Sequence, residues 1–246
     1  MTTSRLASIN VEPTATRGAR IALGLRANWR QFTLLVIVNA FVGAMVGLER
    51  SVLPLIATQD FHITSTTTVL LFVATFGLAK AITNLASGWL ADRHARRRAL
   101  VTGWLIALPV PLLILFAQSW WWIVAANALL GINQGLTWSM TVIMKIDLVG
   151  PMRRGLAMGI NEFAGYGAVA IASVASGFAA SAYGLRQGAA YPGFAIAIAG
   201  LLLSLLVRDT AGHVRLESGP SDRDVEPPRL MTILSRSLWS DAGLFS

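Results

Sequence analysis

The sequence predicts an all-α integral membrane protein, a bundle of six transmembrane helices, and three observations carry that prediction. The chain is 54% hydrophobic and only 13% charged, with mean hydropathy +0.61, whereas soluble domains carry about 25% charged residues. Six apolar runs recur along its 246 residues. The connections between them are a few residues long, so successive helices must run antiparallel and pack side by side.

The runs fall at 32–57, 67–91, 99–117, 120–147, 155–182 and 192–207. Each is near or above the ~20 residues that cross ~30 Å of hydrocarbon, although the sixth is short. Before them, residues 1–31 carry Arg5, Arg17, Arg20, Arg26 and Arg30 against Glu12. They lack the apolar core of a secretory signal, so they are expected to be a cytoplasmic tail, with an organellar transit peptide as the alternative. After them, 208–246 hold Pro220, Pro227, Pro228 and mixed charge, the composition of a flexible cytoplasmic tail.

Lys and Arg placement sets orientation. The first tail holds five. The loop after the second run holds Arg93, Arg96, Arg97 and Arg98, and the loop after the fourth holds Lys145, Arg153 and Arg154. The loops on the other side hold Arg186 alone. Twelve against one puts both termini on the cytoplasmic side of an inner, cytoplasmic membrane, with Trp120, Trp121, Trp122, Tyr183 and Tyr191 at the outer interface.

Other classes are disfavoured. A pI near 11.2 suggests nucleic acid only where a soluble fold offers a basic face, and here the arginines fall between apolar blocks. There are no cysteines, so disulfides and thiolate sites are excluded, and the three histidines form no metal constellation. No H-E-x-x-H, G-x-S-x-G or phosphate loop is present. The expectation is a non-enzyme without cofactor or metal, whose partners are the bilayer and a small molecule.

An internal repeat joins the first run to the fourth at an offset of 88 residues. Asn39-Ala40, Gly43, Gly47-Leu48 and Ser51 align with Asn127-Ala128, Gly131, Gly135-Leu136 and Ser139, and Gly77 aligns with Gly165. Helices 1 and 4 run in opposite directions, so this is a 3+3 inverted repeat, an arrangement many secondary transporters use.

Ionisable residues inside spans cost ~2.5–3.5 kcal/mol each on insertion scales and are functional candidates. Lys80 lies near the middle of the second run, with Asn84 and Ser87 on its face. Glu162 lies two turns into the fifth, with Tyr166, Ser173 and Ser176. Glu49 and Arg50 lie in the outer part of the first. The alternatives are a structural Lys80–Glu162 ion pair and mutual neutralisation of Glu49 and Arg50. Asn127, Gly131, Gln134, Trp138 and Thr141 form a polar stripe on the fourth run, suited to substrate or water, or else to interhelical hydrogen bonds. The third and sixth runs contain no ionisable side chain and read as lipid-facing.

The loop after the second run reads Gly88-Trp89-Leu90-Ala91-Asp92-Arg93-His94-Ala95-Arg96-Arg97-Arg98. Here the sequence resembles the major facilitator superfamily, whose signature G-x-L-a-D-R-x-G-R-R is matched at Gly88, Leu90, Asp92, Arg93, Arg96 and Arg97. Ala95 replaces the usual glycine. The resemblance implies a conformational gate formed by Gly88, Asp92, Arg93, Arg96, Arg97 and Asp147, with Pro151 and Arg154-Gly155 as the entry to helix 5. It also implies that helices 1 and 4 face a central cavity. Antiporters of this family often carry a glycine and proline pattern in helix 5, and this helix has no proline, so that signature is absent.

The resemblance covers 32–207, half of the family's fold. The expectation is therefore an N-terminal six-helix half, a truncated product whose tail is the cut central linker. Its expected function is alternating-access transport of a small solute, with Glu162 or Glu49 coupling protons and Lys80 or Arg50 attracting an anionic group. The missing half, or self-association, would complete it. The rival is a non-transporting membrane protein that only assembles with or regulates another.

Overall fold

The computed structural model describes residues 23–93 and 96–213. Within them the apolar runs form α1 (Trp29–Gln59), α2 (Thr66–Arg93), α3 (Arg96–Ala107), α4 (Pro109–Leu115), α5 (Trp120–Val149), α6 (Arg154–Tyr183) and α7 (Leu185–Leu206), with a 3-10 turn at Pro151–Arg153 before α6. The expected third span is two helices. Pro109 has no N–H to continue α3, so the hydrogen bonding is interrupted at Leu108, whose backbone stays helical, and resumes with Pro109 as the first residue of α4. The expected sixth span begins seven residues early. Pro192 lies inside α7 rather than at its start, because a helix can lose one hydrogen bond there when neighbouring helices hold it.

Five of these rods are long and apolar enough to cross a membrane by length and composition. The remaining rod, α5, has 30 residues, ample for a crossing at ~1.5 Å each. It is too polar for that set, and it keeps Asn127, Asn133, Gln134, Thr137, Thr141, Lys145 and Asp147 buried inside the bundle.

The packing repeats itself as the sequence does. The most extensive interfaces are α1 with α6 and α2 with α5, followed by α3 with α5 and α1 with α7. Shifting by 88 residues exchanges α1 with α5, α2 with α6 and the α3–α4 rod with α7, which turns each of these interfaces into its mate. The glycines explain the close approach. A Cβ on Gly43 would fall on the Gly165 backbone, and one on Gly47 on the Val169 carbonyl. A Cβ on Gly131 would lie 2.5 Å from the Phe76 carbonyl, and one on Gly135 2.5 Å from Thr83 Cβ. Serine adds the same bond to each seam: Ser173 Oγ donates to the Gly47 carbonyl (3.1 Å) and Ser87 Oγ to the Gly135 carbonyl (2.9 Å). The third members meet where the Trp104 ring fills the space beside Gly200.

Two poles close the bundle. At one, Gly24 N–H and Asn28 Nδ2 donate to the Leu148 carbonyl (2.9 and 3.2 Å), and Gln31 Nε2 donates to the Arg208 carbonyl (2.7 Å). Both described ends of the chain therefore lie together. At the other, Arg186 Nε donates to Asp60 (2.6 Å) and its Nη1 to the Ala117 carbonyl (2.5 Å), while Trp120 Nε1 donates to the Thr68 carbonyl (2.8 Å).

Candidate functional site

α2 and α6 pack along one side only. Leu78, Ile82 and Leu85 of α2 and Phe163, Val174 and Phe178 of α6 are exposed, and a Cβ on Gly77, Gly88, Gly159 or Gly167 would meet nothing. Beside this open face runs a strip that crosses four helices. Arg50 of α1 lies over the Phe76 ring (5.0 Å from its centroid), and Lys80 Nζ lies near Phe76 (5.8 Å) and over Trp138 (4.8 Å). Trp138 Nε1 donates to Glu162 Oε1 (3.0 Å), and its ring meets Tyr166 edge-on at 5.3 Å. Arg50, Lys80, Trp138 and Glu162 are half-buried, Phe76 is buried and Tyr166 is exposed. Lys80 and Glu162 thus meet through the indole rather than as a direct pair.

Behind the strip lies a buried polar junction of α1, α5 and α6. Asn39 Nδ2 donates to the Asn161 carbonyl (2.7 Å), and Thr141 Oγ1 to Asn39 Oδ1 (3.0 Å). Lys145 Nζ donates to Asn161 Oδ1, and Asn161 Nδ2 donates on to Glu162 Oε1 (2.9 Å). Lys145, Asn39, Asn161 and Thr141 are all wholly buried. The junction is not apparent from the sequence, in which Lys145 reads as a loop charge, whereas the residue lies inside α5. The available signal was its spacing: Lys145 continues the stripe from Trp138 and Thr141 at helical steps.

The stripe itself is a correction. Asn127, Gly131, Gln134 and Thr141 do not line an open wall, because they are buried, Gly131 against α2, Gln134 against α1 and Thr141 against α1 and α6. Gln134 Nε2 donates to the Val42 carbonyl (2.5 Å) and Asn127 Nδ2 to the Ile123 carbonyl (3.1 Å). Of the stripe only Trp138 reaches the strip. Glu49 also parts from Arg50, since adjacent residues on a helix point about 100° apart. It is buried beside Met45, Pro111, Ile114 and Gly193, and its Oε2 has no hydrogen-bond partner among the described residues.

At the pole that holds both described ends, Arg96 Nε pairs with Asp147 Oδ2 (2.9 Å), and Thr210 Oγ1 donates to the same oxygen (2.6 Å). Arg97 instead closes α7, with Nη2 donating to the Leu205 carbonyl (2.7 Å) and its N–H to Asp209 (3.0 Å). The side chains of Asp92 and Arg93, and all of His94 and Ala95, lie outside the described residues. Gly88 is exposed on α2. Elsewhere, a groove of about 650 Å³ opens between Pro54, Thr58, His62, Thr66 and Leu70, away from the strip. Among the described residues no cluster of His, Asp and Glu could hold a metal.

Comparison with known proteins places this geometry. The model of the Major Facilitator Superfamily matches residues 34–245. Two crystal structures of the peptide transporter POT, in complex with sulfate and with alafosfalin, share the fold with TM-scores of 0.63 each. They are 15% and 16% identical over 87% of this chain. The chain spans less than half of their length, 43% and 44%.

Proposed function

Because the chain belongs to the Major Facilitator Superfamily, a family of transporters rather than enzymes, we propose that it is one six-helix half of a transporter that moves a small solute. A second bundle, from another half or a second copy, supplies the opposite wall of the site, and the two expose it alternately. The observation that carries this reading is the strip from Arg50 to Tyr166 beside an otherwise apolar open face. Half-buried charges on such a face are costly against lipid and useful against a solute-filled cavity.

On this reading the pole with Arg97, Arg98, Arg153 and Arg154 faces the cytoplasm of an inner membrane. The Arg96–Asp147 pair, with Asp92 and Arg93, forms the gate at that pole, and Glu162 or the buried Glu49 carries a coupling proton. Single cysteines at Thr64 and Tyr183 should then label with an impermeant reagent from outside and one at Met152 should not. Labelling at Met152 would reverse the orientation. Gly188 is unsuitable as a probe site because a side chain there meets the Ala180 backbone.

Photo-cross-linkers at Leu85 and Phe163, both on the open face, should capture the second bundle in native membranes. Reconstituted with that bundle, the chain should give saturable solute flux, strongly reduced by Asp92→Asn at unchanged abundance. Flux no greater than in empty liposomes for every solute class would move the reading to a non-transporting assembly partner.

A further inference from the structure

We propose that the strip is built to take an organic anion with an apolar or aromatic body. This inference rests on the transport reading and names the substrate class of the same site. It starts from which charges are already committed. Glu162 Oε1 accepts from Asn161 Nδ2 and Trp138 Nε1 (2.9 and 3.0 Å), and the fully buried Lys145 ammonium is tied to the other end of the Asn161 amide. The carboxylate is therefore balanced from behind the strip, through an amide that fixes its position.

Lys80 and Arg50 are left over. Among the described residues neither has a carboxylate at ion-pair distance. Both lie instead against aromatic rings, and they share one of them, Phe76. Cation–π contact is worth roughly 0.5–2 kcal/mol, less than the ~2.5–3.5 kcal/mol that a charge costs in a span. Two like charges on one ring repel besides. Lys80 is residue fifteen of the 28 in α2, roughly 20 Å from either end, too far for its ammonium to reach the headgroups. A guest anion relieves this arrangement, and Phe76, Trp138 and Tyr166 offer flat apolar surface to the remainder of the molecule. A guest ammonium would meet the two cations of the strip, and Glu162 already accepts two hydrogen bonds at Oε1.

The test is binding, measured apart from flux. The full chain, purified in nanodiscs with any bundle that accompanies it, is titrated with benzoate and phenylphosphonate, and with benzamide and benzylamine as neutral and cationic matches. The two anions should bind saturably and more weakly in high salt. Lys80→Gln and Arg50→Gln should each weaken them about tenfold, the scale of one lost charge-assisted hydrogen bond. Lys80→Arg should restore binding, so that a misfolded Lys80→Gln does not decide the question. Benzamide binding as well as benzoate, benzylamine binding that Glu162→Gln abolishes, or no binding of either anion to folded protein would each overturn the proposal. Neutral-solute flux without anion binding would sink this inference and leave the transport reading standing. Anion binding without flux would do the reverse.

Discussion

The two long seams of the bundle, α1 against α6 and α5 against α2, share a scaffold and differ in chemistry. Each uses a glycine pair four residues apart to bring two helices into backbone contact, and each adds a serine that donates to the carbonyl of the second glycine. In membranes, where no hydrophobic drive brings helices together, such close approach is what holds them. The ionisable residues do not follow the repeat. Shifted by 88 positions, Lys80 meets Ala168, Glu162 meets Ala74 and Lys145 meets Ala57. The repeat thus preserves what packs, and the strip is carried by residues that break it.

The largest expected effect separates the seams by what each glycine touches. A Cβ on Gly43 would fall on the Gly165 backbone, whereas one on Gly135 would meet Thr83 at Cβ (2.5 Å) and the Lys80 carbonyl at 3.1 Å. Gly43→Leu should leave almost no monodisperse protein after extraction, while Gly135→Ala should cost about 1–3 kcal/mol, as ordinary overpacking does. Size-exclusion profiles of the two variants check this. Normal accumulation of Gly43→Leu would mean that α1 and α6 do not touch as described.

A smaller effect should arise at the polar junction, where Lys145 and Thr141 of α5 meet Asn39 of α1 and Asn161 of α6. Asn161→Leu removes the acceptor of a buried lysine and a donor to Glu162, and a hydrogen bond to a charged group is worth about 1.5–3 kcal/mol. Asn161→Asp, which keeps an acceptor for Lys145 but not the donor to Glu162, should recover part of the loss in thermal midpoint. Equal loss in both variants would show that Lys145 does not depend on that oxygen.

Much of the fold was legible in the sequence because hydrocarbon imposes long apolar rods and short turns. The repeat was legible because glycines recur at one offset, and the structure shows the packing that makes Gly43, Gly47, Gly131 and Gly135 recur, whereas the seam serines Ser87 and Ser173 stand 86 residues apart. Pro192 misled, since a helix tolerates it when packed, while Pro109 interrupts the hydrogen bonding of a rod, Arg96–Leu115, that is still one span in length. The strip was legible as separate residues, Lys80, Glu162, Trp138, Tyr166 and Arg50, but not as a unit. Helical periodicity says which residues share a face and not which neighbour covers it. For that reason Asn127 and Gln134 read as a wall and are interior, while Asn161 and Phe76, which join the pieces, carried no signal of their own.

The smallest expected effect concerns the two seam serines. Neither hydroxyl is needed to satisfy a carbonyl, because Gly47 and Gly135 lie within helices where the residue four positions on already donates to them. Ser87 Oγ also lies 2.8 Å from the Thr83 carbonyl of its own helix, so it keeps a partner even when the seam opens. Each interhelical bond should therefore be worth about 0.6 kcal/mol, the usual size for such bonds in membrane proteins. Ser87→Ala and Ser173→Ala should lower the thermal midpoint by similar small amounts. The two share no partner, so the double variant should show the sum. A loss several times larger in one of them would mean that its seam relies on the hydrogen bond rather than on the glycines, and the two seams would no longer count as copies of one device.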